Sequence, residues 1–124
     1  MSVIGVGIDL VDIERFRVSL SRTPSMRTRL FTESELAYVA PKVDPIPSLA
    51  ARFAAREAVM KSLGLGLGAF GFHEVWVERA DSGEPSLVVT GRAKDLADEA
   101  GVVHWHLSLT HSASTAGAYV LATS

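Results

Sequence analysis

Asp9, Glu57 and Lys61 are the residues whose types and positions can do chemistry. Asp9 closes the alternating stretch SVIGVGIDL, on the side shared with Gly5 and Gly7. Glu57 and Lys61 lie about one helical turn apart in ARFAAREAVMKSLG, on a flank with Ala50, Ala54 and Gly64. Two carboxylates with no cysteine and no histidine-rich cluster suit a hard divalent ion such as Mg²⁺. That ion takes one or two protein carboxylates and completes its shell with phosphate oxygens and water. An adjacent lysine neutralises phosphate charge. Each residue also has a plain structural reading. Glu57 and Lys61 have the i,i+4 spacing of a surface ion pair, worth roughly 0.2–0.5 kcal/mol. Asp9 can equally be a capping or turn aspartate near Asp12.

A second set lies in VVHWHLSLTH. Val103, Trp105, Leu107 and Leu109 share one face of this strand, and His104, His106, Ser108 and Thr110 the other. The polar row suits phosphate or ribose, and His111 breaks the pattern at the strand's end. The His104-x-His106 pair lacks a third zinc ligand. Gly66, Gly68 and Gly71 spell G-x-G-x-x-G, but the dinucleotide fingerprint needs a strand before it and a helix after it. Here a helix precedes and a strand follows. These glycines end the helix and turn the chain back, with backbone amides free to touch a phosphate.

The elements that must position these residues come from one expected domain spanning 1–124. A hydrophobic content of 48% supplies a core, and the absence of cysteine excludes disulfides and thiolate chemistry. A net charge of −2 argues against nucleic-acid binding in general. No apolar run approaches bilayer length, and the N-terminal stretch has no basic start and meets Asp9 early, so a cytoplasmic protein with no membrane partner is expected. Arg15, Arg17, Arg22, Arg27 and Arg29 face only Asp12 and Glu14 between positions 12 and 31. That basic segment is either a solvated helix face or a docking surface for an acidic partner.

Residues 2–10 alternate as a strand with Ile4, Val6, Ile8 and Leu10 on a greasy face and Gly5, Gly7 and Asp9 on a nearly bare one. Asp12 caps a helix to about Arg22 with Ile13, Phe16, Val18 and Leu20 as its apolar members. A short helix runs from Pro24 to Leu30, and Thr32 with Glu35 forms a capping box for the next. Three prolines make 41–47 a loop, and Ser48 caps the long helix. Its apolar stripe is Leu49, Phe53, Met60 and Leu63, with Arg52 and Arg56 on the edge away from Glu57. A hairpin (72–80 and 86–90, joined by DSGE), a polar helix (92–100) ending at Gly101, and two strands joined near Ser112–Ser114 complete the chain. The expected class is α+β: an antiparallel sheet packed against one long helix plus short helices.

Together, GIDLVDIERF (7–16), RFAAREAVMKSLG (52–64) and HLSLTH (106–111) resemble the holo-acyl-carrier-protein synthases, the small phosphopantetheinyl transferases that prime fatty-acid synthesis. The resemblance covers nearly the whole chain in the same order and with similar spacing. Arg56 stands where the family usually has lysine. The resemblance implies the phosphopantetheinyl transferase fold, Mg²⁺ held by Asp9 and Glu57, and Lys61 on the phosphates of coenzyme A. It places Arg52, Ser108 and Thr110 in the coenzyme A pocket and His111 beside the transferring phosphate. It further implies a homotrimer with active sites between subunits, and an acidic acyl carrier protein docked on the helix after the first strand, with Arg15 and Arg22 as contacts. The implied reaction moves the 4′-phosphopantetheine arm to a carrier serine and releases adenosine 3′,5′-bisphosphate. The base is either Glu57 acting through a water or His111. Two other classes compete: a non-catalytic module that docks acidic carriers, which has no need of Asp9 or Glu57, and a Mg²⁺-dependent phosphohydrolase that needs no protein acceptor.

Overall fold

A computed structural model of the chain describes residues 1–66 and 68–124; Leu67, in the glycine-rich connection expected after Gly64, lies outside the described residues. In chain order the elements are β1 (Val3–Asp12), α1 (Ile13–Arg22), α2 (Met26–Leu30), α3 (Glu33–Val39) and α4 (Ile46–Ser62), then β2 (Val75–Arg79), β3 (Pro85–Val89), α5 (Gly91–Ala100), β4 (His104–His111) and β5 (Thr115–Thr123). β5 lies between β1 and β4 in an antiparallel three-stranded sheet, and β2 pairs with β3 as a separate antiparallel hairpin.

β1 presents its bare face, not its greasy one, to the core. Val6, Ile8 and Leu10 are 50%, 57% and 67% exposed, whereas Gly7 is buried against α4. A Cβ on Gly5 would stand 1.7 Å from the Ser62 carbonyl oxygen, and one on Gly7 would stand 1.8 Å from that of Ala58. The register explains the pairing. Two strand residues advance about 6.8 Å and one helical turn about 5.4 Å, so alternate strand positions meet successive turns. The space beside Gly5 and Gly7 on the bare face is filled by helix backbone. Asp9 is the next residue in that row.

α4 is not the one-sided helix its apolar stripe suggests. It packs on β1 and β5 along one side and on α1, α3 and β2 along the others. Leu49, Ala50, Ala54, Ala55, Ala58 and Val59 lose all contact with water. Phe53 meets Phe16 at 5.5 Å and Phe72 at 6.1 Å between ring centroids. The helix starts at Ile46, two residues before the expected cap at Ser48, with Pro45 at the N-cap and Pro47 in the first turn. Proline is tolerated there because first-turn N–H groups have no helical acceptor.

The other elements follow local rules. Asp12 caps α1 by accepting from the Arg15 N–H at 2.9 Å, and Ile13, Phe16 and Leu20 are buried, while Val18, expected among them, is exposed. The Thr32–Glu35 capping box forms at α3. Gly101 ends α5 in the left-handed conformation, at φ 88°. The two last strands pair as their alternation places them, while the hairpin is shorter than the expected 72–80 and 86–90, with strands only over Val75–Arg79 and Pro85–Val89.

Replacing Gly7 with alanine inserts a methyl into the helix–strand contact, where overpacking costs about 3 kcal/mol or more. Urea unfolding of Gly7→Ala checks this, and a loss under about 1 kcal/mol would show that the glycine does not set the separation.

Candidate functional site

The close approach of β1 and α4 delivers Asp9, Glu57 and Lys61 to one place. Lys61 Nζ donates to Asp9 Oδ1 at 3.1 Å and to the Ile8 carbonyl at 3.0 Å. Its ion pair therefore runs across the strand–helix interface to Asp9 rather than along the helix to Glu57. Glu57 is 9% exposed, and its Oε1 is buried without a hydrogen-bond partner. Burial raises its pKa above the ordinary carboxylate range, the nearby Asp9 charge adds to this, and Lys61 opposes it.

Asp9 and Glu57 line a hollow of about 400 Å³ together with Arg15, Phe16, Met26 and Phe53. An orphaned carboxylate oxygen beside a second carboxylate fits a hard cation, because both side chains are acceptors and the remaining positions are left for phosphate and water. Among the described residues no group of three or more metal-ligating side chains forms, so this donor set is limited to the pair.

Arg15 borders both this hollow and a neighbouring one lined by Glu14, Val18, Ser19 and Arg22, so of the two expected docking arginines Arg15 lines the site and Arg22 only the adjoining hollow. Arg17 from the same basic run is bound to Asp44 and Glu14, at 2.8–3.0 Å, and anchors the loop before α4.

The other expected site residues lie elsewhere in the chain. Arg52 is buried, stacked 4.6 Å from the centre of the Tyr38 ring, and bonded to the Ser48 carbonyl at 3.1 Å; its Nε has no partner. Lys42 and Arg79 approach the same ring at 5.1 and 5.7 Å, and Ser34, Tyr38, Arg52 and Arg79 line a hollow together with Glu78 and Asp81, a mixed-charge cluster that the sequence reading missed. Its cations come from separate segments, and no periodicity announces such a cluster. Ser108 and Thr110 lie on the outer face of the sheet, in register through β5 with Ile8 and Leu10. His106 shares that face, with Nε2 3.2 Å from Thr123 Oγ1. His111 does not leave the strand: it pairs with Ala116, in the row of Leu109, and is exposed because the core ends there. It lies two strands from β1, about 10 Å away. The Phe16, Met26 and Phe53 wall was also missed as site lining, since two of the three read as ordinary core residues.

The pattern of the 4′-phosphopantetheinyl transferase superfamily matches residues 5–124. A holo-[acyl-carrier-protein] synthase of Streptomyces avermitilis is 54% identical over 98% of both chains. The synthase structure from Neisseria meningitidis superposes with a TM-score of 0.89 at 27% identity, covering 99% of this chain and all of the other. A coenzyme A complex of the Chronobacterium ammoniagenes enzyme superposes with a TM-score of 0.86, again at 27% identity, covering 98% and 97% of the two chains. The chain belongs to the 4′-phosphopantetheinyl transferase superfamily and, within it, to the holo-[acyl-carrier-protein] synthases. The α+β architecture is the fold of those enzymes.

Glu57→Gln should be more stable than the wild type at neutral pH without added metal. Between the ordinary carboxylate pKa and the raised one of Glu57, the folded protein keeps a proton that the unfolded chain has released. Wild-type stability therefore falls relative to the variant as pH rises through that window. Thermal melts from pH 4 to pH 8 should show the two proteins alike at the acid end and diverging above it.

Proposed function

We propose that this protein transfers the 4′-phosphopantetheine arm of coenzyme A to a serine of an acidic apo acyl carrier protein in the cytoplasm, priming fatty-acid synthesis. The observation that carries the reading is the unpartnered Glu57 oxygen beside Asp9, in a hollow bordered by Arg15. A docking module has no use for an unpartnered acid at the core's edge, whereas a phosphate-handling metal site requires one. The coenzyme A complex of the similar Chronobacterium ammoniagenes enzyme supports the donor substrate.

Asp9 and Glu57 would hold Mg²⁺, which supplies neutralising charge to the diphosphate and its leaving group. Lys61, on a flexible stem at the same edge, reaches phosphate oxygens. Arg15 and Arg22 orient the acidic carrier so that its serine enters beside the carboxylates. The serine oxygen forms a bond to the phosphorus nearest the pantetheine, the bond to the nucleotide's phosphate breaks, and adenosine 3′,5′-bisphosphate leaves. The serine proton goes to Glu57 through a water or to His111.

The assignment of Arg52, Ser108, Thr110 and His111 to the coenzyme A pocket requires a second copy, because one chain does not gather them around Asp9 and Glu57. The exposed face of Val6, Ile8 and Leu10 is the surface for it, with Ser108 and Thr110 alongside. We propose that this face closes a homotrimer whose sites lie between subunits.

Incubation of apo acyl carrier protein with the enzyme, coenzyme A and Mg²⁺ should raise the carrier's intact mass by one phosphopantetheine arm. EDTA, Asp9→Asn or Glu57→Gln should each reduce the rate at least about a hundredfold. Coenzyme A consumed without carrier modification would indicate the hydrolase, and no reaction with any carrier would indicate docking alone. Ile8→Arg should lower the mass seen in light scattering to that of the 13.3 kDa chain and abolish transfer, although Asp9 and Glu57 remain intact. A wild-type protein that is already monomeric would overturn the trimer.

A further inference from the structure

Lys61 holds Asp9 by one of its two carboxylate oxygens. Its ammonium makes two hydrogen bonds there, to Asp9 Oδ1 and to the Ile8 carbonyl, and the Asp9 side chain is only 18% exposed. Glu57 Oε1, the other candidate ligand atom, receives nothing. One of the two carboxylates thus has a built-in counter-ion and the other is left without a partner.

We propose that Lys61 is the resident counter-ion of Asp9 in the substrate-free protein and must release it before a divalent cation can bind, so that metal and coenzyme A load together. The inference rests on the reading of Asp9 and Glu57 as metal ligands. An ammonium and a divalent ion on the same carboxylate repel each other strongly, because the site is partly withdrawn from water. Lys61 can leave without disturbing the core. It lies in the last turn of α4, its side chain is 54% exposed, and its four-carbon stem swings freely. A metal arriving alone would send the ammonium into solvent with no new partner. A metal arriving with a diphosphate offers it phosphate oxygens in place of Asp9. The two ligands therefore strengthen each other beyond the effect of phosphate ligating the metal, and that coupling is reciprocal.

The test uses Mn²⁺ as the probe and measures free ion by electron paramagnetic resonance, with and without coenzyme A. Lys61→Gln should bind Mn²⁺ alone at least tenfold tighter than the wild type, and coenzyme A should then add a smaller enhancement than in the wild type. Equal or weaker Mn²⁺ affinity in Lys61→Gln, including no binding by either protein, overturns the proposal. A crystal structure of the wild type with Mn²⁺ alone separates displacement from a general loss of positive charge. Lys61 Nζ should lie beyond hydrogen-bonding distance of Asp9, and an Nζ still bonded to Asp9 with the ion bound overturns it. Glu57→Gln distinguishes failure of the metal reading itself, since undiminished Mn²⁺ affinity there removes Glu57 as a ligand whatever Lys61 does.

Discussion

An arginine that never meets water holds the rotation of the central helix. Arg56 donates to both oxygens of Glu35, with Nη1 to Oε2 at 2.9 Å, and its Nε donates to the Phe72 carbonyl at 2.7 Å. Glu35 also accepts from the backbone N–H groups of Thr32 at 3.0 Å and Val77 at 3.2 Å. The pair joins α3, α4, β2 and the segment before β2 in one buried network with its charged atoms partnered. A buried ion pair is weak evidence for net stability, because desolvation offsets much of the attraction. Its geometric effect is stronger, since a planar guanidinium facing a carboxylate tolerates little rotation. A lysine at this position would supply a point charge without the fork.

That rotation has consequences one residue along the helix. With Arg56 facing Glu35, Glu57 lies about 100° round α4, toward the β1 edge. The glycines of β1 then fix the other coordinate by drawing helix backbone against strand backbone. Asp9 is the first side chain in the row after that contact, so it meets α4 where Lys61 can reach it. The site is the edge of a tight backbone contact rather than a cavity cut into the core.

The same geometry explains why Glu57 is poorly solvated. An acid at the boundary of the core, with one oxygen unpartnered, costs stability in the free protein. Strain of this kind is tolerated where a ligand relieves it. The outer face of the sheet is a comparable case, because apolar side chains of β1 left in water are unfavourable until another surface covers them.

Most of the local structure was legible in the sequence. Asp12, the Thr32–Glu35 box and Gly101 mark helix ends through hydrogen bonds and backbone angles that depend on a few neighbouring residues. The strand alternation and the Asp9, Glu57 and Lys61 set could also be read directly, because periodicity shows which residues share a face. Periodicity does not show which face is covered. Beyond Ile4, which packs on the core, the greasy side of β1 (Val6, Ile8 and Leu10) reads as core and is exposed, because the opposite, glycine-lined side alone allows α4 to approach. Glu35 was legible as a cap but not as the partner of Arg56, which lies in another element. Lys61 was expected beside Glu57 and pairs with Asp9, a contact between residues far apart in the chain. Sequence alone determined the elements and the chemical groups, since both follow from local interactions. Tertiary structure decided which face was buried and which charges met, since those outcomes depend on distances between elements that no local pattern encodes.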